Sequence, residues 1–77
     1  MEALLNILHD LHPDTDFERE TRLLDDGVLV SFDIVMLVTR IEEQYGVVIP
    51  AKAIKPEHFN SAKALYALIL TLQNRDD

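Results

Sequence analysis

Leu4, Leu5, Leu8 and Leu11 recur at helical spacing with Ile7 on their flank, which predicts a first helix over Glu2–His12. Pro13 ends it, because the residue before a proline is pushed out of the helical region. Residues 13–30 show no helical period and read as a long loop, with Asp25-Asp26-Gly27 as a turn. Phe17, Leu23, Leu24, Val28 and Leu29 are too apolar for a solvated loop, so this segment is expected to fold back over the core. A loop of that length inside a small domain is often functional.

The period resumes at Ser31. Ile34, Val35, Leu37, Val38, Ile41 and Tyr45 form a broad apolar face and predict a second helix over Ser31–Tyr45, with Ser31 as its N-cap and Asp33 complementing the helix dipole. Gly46 is a natural stop. Val47-Val48-Ile49 runs extended into Pro50, but no second strand is at hand to pair with it. Pro56 suits the first position of a short third helix through Phe59. Ser61 caps a fourth, striped by Leu65, Leu68, Ile69 and Leu72 and fraying near Asn74. The pattern predicts one all-α domain over residues 1–77, a bundle of three main helices and one short one. Its expected core is Leu5, Leu8, Leu11, Val35, Val38, Ile41, Leu65, Leu68 and Ile69.

Composition narrows the function. With 77 residues the core must be thin, and the absence of cysteine excludes disulfides and thiolate metal sites. No apolar run is long enough to span a membrane, so a soluble, cytoplasmic monomer is expected. The net charge of −7 argues against nucleic acid as a partner. The charge is uneven: residues 1–49 hold eleven acids and three bases, residues 50–77 three acids and four bases. An acidic front half suits basic partner surfaces.

Little in the chain points to catalysis. His9 and His12 have zinc-ligand spacing but no third ligand, and they read as surface histidines at a fraying helix end. Asp14, Asp16, Glu18 and Asp25 imitate a calcium loop, yet Arg19 stands where such a loop needs glycine. No nucleophile elbow or glycine-rich phosphate loop is present. The chain is read as a non-enzyme, with no catalytic or metal residues assigned. Ser31 is the one distinctive position, a serine where an apolar-lined loop meets a helix, beside the positive end of the helix dipole.

From Leu24 to Ile69 the chain resembles the acyl and peptidyl carrier protein superfamily, above all its short stand-alone acyl or aminoacyl carriers, including the D-alanyl carrier type. Ser31-Phe32 takes the family's serine and apolar positions. Val35, Leu37, Val38 and Ile41 match the second helix, Glu42-Glu43-Gln44-Tyr45 its acidic-aromatic end, Ile49-Pro50 the turn, and Phe59-Asn60-Ser61 the start of the last helix. The resemblance implies a four-helix carrier fold with a 4′-phosphopantetheine arm joined to Ser31 by a phosphopantetheinyl transferase. The arm's thiol would hold cargo as a thioester, exchanged with a loading ligase and downstream transferases or synthases. Asp33, Met36, Arg40 and Glu43, three or four apart on the second helix, are the expected partner contacts. One departure stands out: the family has aspartate before the serine, and this chain has Val30. The alternative reading is a carrier-like interaction module that never receives an arm.

Overall fold

Pro13 and Gly46 close the two helices they follow. In the computed structural model, which describes residues 1–74, helix α1 spans Glu2–Leu11 and helix α2 Ser31–Tyr45. α1 stops one residue short of the expected end, with the His12 N–H still bonded to the Leu8 carbonyl at 3.0 Å. Gly46 takes a left-handed φ of 67° at the end of α2, the backbone state that glycine adopts without steric cost. Short helix α3 covers Pro56–Phe59, and α4 covers Ala62–Gln73. Ser61 caps α4 as expected, its Oγ accepting from the Ala64 N–H at 3.0 Å. Among the described residues there is no strand, and no helix is long and apolar enough to cross a membrane. Val47–Ile49 has no regular structure, its Ile49 N–H donating to Glu42 Oε2 at 2.9 Å, and is followed by a 3-10 turn at Ala51–Ala53 that the hydrophobic pattern did not announce.

The core gathers one stripe from each long helix. Leu4, Ile7 and Leu8 come from α1, Ile34, Leu37 and Ile41 from α2, and Leu65, Leu68 and Ile69 from α4. Phe59 seals the α3 end. The long loop folds back as its composition required, burying Phe17, Leu23 and Leu29, while Val47 and Ile49 are buried from the segment after α2.

The expected core needs correction on α1 and, above all, on α2. Val35 is 65% exposed, and Val38, Leu5 and Leu11 are only partly buried. The apolar residues of α2 run around more of the helix than one neighbour can cover. Each residue turns the helix by roughly 100°, so a buried stripe at Ile34, Leu37 and Ile41 swings Val35 outward.

Truncating Leu37 to alanine should destabilise the fold by about 2–5 kcal/mol, whereas Val35→Ala should stay within about 0.5 kcal/mol. Denaturant titrations of the two variants check this, and equal losses would refute the assignment of the inner face.

Candidate functional site

The loop that leads to Ser31 is organised by backbone hydrogen bonds. The Leu29 N–H donates to the Leu23 carbonyl at 2.9 Å and closes residues 23–29 into a ring. Gly27 turns the ring with φ 75°, and Arg22 braces it through Asp26 at 3.0 Å. Leu23 and Leu29 anchor it in the core. The chain leaves the ring at Leu29, two residues before Ser31.

Ser31 does not cap α2. It is the first helical residue, exposed, and Val30 takes the N-cap position with no side-chain oxygen to offer. Asp33 makes up part of the loss: its Oδ2 accepts from the Val30 N–H at 3.1 Å. The N–H groups of Ser31, Phe32 and Asp33 have no carbonyl four residues back inside the helix, so they remain oriented toward whatever approaches Ser31.

The same Asp33 oxygen lies 2.9 Å from His12 Nε2, which ties the end of α1 to the start of α2. Only 14% of the Asp33 side chain is exposed. Burial pushes its carboxyl pKa up, but the bonds from His12 and the Val30 N–H outweigh this and hold it below the usual aspartate range. His12 is therefore not a free surface histidine. Nor is His9, whose ring packs 5.4 Å from that of Phe17.

The four expected partner contacts divide. Asp33 and Arg40 lie along the edge of α2 that meets α1, where Arg40 pairs with Asp10 at 2.9 Å. Met36 and Glu43 are exposed. The surface beside Ser31 that charge counting overlooked is apolar: Val30 is 52%, Phe32 72% and Val35 65% exposed, with Met36 one turn beyond Phe32. Val30 is therefore part of this exposed patch and is not packed into the core. The signal was in the sequence, because α2 has more apolar residues than one buried stripe can use. The loop acids have other employment: Asp16 pairs with Arg19 and Asp25 with Asn60. Among the described residues no three potential metal ligands cluster.

The chain is 38% identical over 61 residues to aminoacyl carrier protein 2 of Bradyrhizobium diazoefficiens, a match covering 79% of this chain and 61% of that protein. The chain thus spans about three-fifths of its relative's length. A matched stretch of that length in a 77-residue chain necessarily includes Ser31 and all of α2. No family model matches the chain, and no solved structure matches it.

The depressed Asp33 pKa sets a direction for acid stability. A carboxylate bound more weakly by protons in the folded state stabilises the fold above its unfolded pKa, about 3.9. That contribution is lost as pH falls below this value through the folded pKa. The gap in melting temperature between the parent and Asp33→Asn should therefore be widest near neutrality and shrink below about pH 4. Thermal melts across that range check it, and a pH-independent gap would refute it.

Proposed function

We propose that this chain belongs to the acyl and aminoacyl carrier proteins and carries a 4′-phosphopantetheine arm on Ser31. The observation that carries the reading is the setting of Ser31: an exposed hydroxyl on the first residue of a 15-residue helix, within the stretch shared with an aminoacyl carrier. The residues fit the group. Uncapped N–H groups at the start of α2 favour a phosphodiester at Ser31. The nearest carboxylate on the helix, Asp33, is turned toward His12 and the Val30 N–H, which limits its repulsion of the phosphate.

In the modification, the Ser31 Oγ attacks the phosphorus of coenzyme A that bears pantetheine. The Oγ–P bond forms, the P–O bond to adenosine 3′,5′-bisphosphate breaks, and the hydroxyl proton passes to a base of the transferase. The arm supplies the thiol that holds an acyl or aminoacyl group, which this cysteine-free chain lacks. Such a carrier catalyses no step itself. The outward face of α2, with Phe32, Val35, Met36 and Glu43, presents the serine to the transferase, the loading ligase and the acceptor enzymes.

A second reading has one specific support. Val30 puts an exposed apolar side chain where related carriers place aspartate, and valine has no oxygen for a magnesium ion shared with a transferase. On that reading the same face binds a partner and Ser31 stays bare.

Incubation with a phosphopantetheinyl transferase and coenzyme A, followed by intact mass, separates the two. The parent should gain one phosphopantetheine, Ser31→Ala none, and Val30→Asp should react faster than the parent. No reaction of the parent or Val30→Asp, with a transferase active on other carriers, would favour the interaction module.

Docking through this face should depend more on packing than on charge. Phe32→Ala should weaken binding to a loading enzyme by about 1 kcal/mol or more. If Phe32→Ala left affinity unchanged while added salt abolished binding, the acidic half of the chain would be the docking surface instead.

A further inference from the structure

Asn60 fastens the loop before Ser31 to the other half of the chain. It lies between α3 and α4, and its side chain reaches back thirty-five and thirty-six residues. Its Oδ1 accepts from the Leu24 N–H at 2.9 Å and from the Asp25 N–H at 3.0 Å. Its Nδ2 donates to Asp25 Oδ2 at 3.0 Å, and its carbonyl accepts from the Leu23 N–H at 2.9 Å. Three consecutive loop residues are thus held by one asparagine. Leu23 is also the residue whose carbonyl receives the Leu29 N–H, so the clasp secures the base of the ring that delivers the chain to Ser31.

No other side chain at this junction is bonded in this way. Ser61 spends its oxygen capping α4, and Phe59 is wholly buried. The Asn60 pattern needs both halves of a carboxamide, an acceptor for two N–H groups and a donor for a carboxylate. Alanine provides neither half. Aspartate keeps the acceptor but sets a second negative charge against Asp25.

We propose that Asn60 is a positioning residue for the modification of Ser31, acting through the 23–29 ring and not by contact with the arm. The inference rests on the reading of Ser31 as the attachment point. When the carboxamide bonds to Leu24 and Asp25 are lost, only the backbone bond from the Leu23 N–H to the carbonyl of residue 60 remains, and the ring samples open states in which Ser31 is misplaced. The apparent affinity of the transferase for the carrier then falls with the fraction of chains that remain closed. Once a closed chain is bound, the transfer itself is unchanged.

The experiment measures transferase kinetics against carrier concentration for the parent, Asn60→Ala, Asn60→Asp and the reciprocal exchange Asn60→Asp with Asp25→Asn. Amide exchange is followed in parallel at Leu24 and Asp25 and at the core residues Leu8, Leu37 and Ile69. Both single Asn60 variants should raise KM several-fold with kcat unchanged, with faster exchange at Leu24 and Asp25 but not in the core. The exchanged pair restores donor and acceptors with the partners reversed, and its KM should return toward the parent value. A modified parent with unchanged kinetics in Asn60→Ala and Asn60→Asp would overturn the inference and leave Ser31 standing. So would a raised KM accompanied by equally faster core exchange, or one that the exchanged pair fails to rescue. An unmodified parent would overturn the Ser31 reading and this inference with it.

Discussion

The carboxylate of Asp33 joins two helix ends. On one side it holds His12, just past the end of α1; on the other it holds the backbone N–H of Val30, just before α2. A valine at the N-cap would otherwise leave the start of α2 without any side-chain partner, a loss typically worth about 1 kcal/mol. Placing the acceptor at the third helical residue recovers part of this from inside the helix. It also fixes the first turn of α2 against α1, and Ser31 lies in that turn. The arrangement leaves the serine hydroxyl outside the capping scheme, exposed and available for chemistry.

Charge and apolar surface are divided between the two edges of α2. The edge facing α1 uses its charges internally, through His12–Asp33 and Asp10–Arg40. The outward edge is left to Phe32, Val35 and Met36. An exposed phenylalanine and valine beside a candidate attachment point are costly in solubility and gain nothing for the core. A partner that covers them, as proposed above, would account for their place. The overall acidity of the chain still favours encounter with basic surfaces at a distance.

Much of the fold was legible because local chemistry determines it. Pro13, Gly46, Pro56 and Ser61 mark helix ends through local restrictions that act within a few residues, and the structure places an end within two residues of each. The apolar loop residues Phe17, Leu23 and Leu29 revealed that the loop packs inward. What local pattern could not show was pairing across the chain. His12 and Asp33 are twenty-one residues apart, and Asn60 lies thirty-five from Asp25. Ser31 looked like a cap because serine usually is one; that Asp33 would take over from inside the helix depends on where α1 ends. The surplus of apolar positions on α2 is visible in the sequence, but which of them face outward, Val35 among them, is visible only once the neighbours are placed.

The most direct test of the proposed attachment of an arm at the first turn of α2 is to map where modification is felt. Backbone amide spectra of the protein before and after treatment with transferase and coenzyme A, with peptide mass mapping of the product, read this residue by residue. The account predicts a single modification on the peptide containing Ser31, with shifts concentrated from Val28 to Met36 and the amides of α4 nearly unchanged. Modification at Ser61, or no modification by a transferase that acts on other carriers, would contradict it.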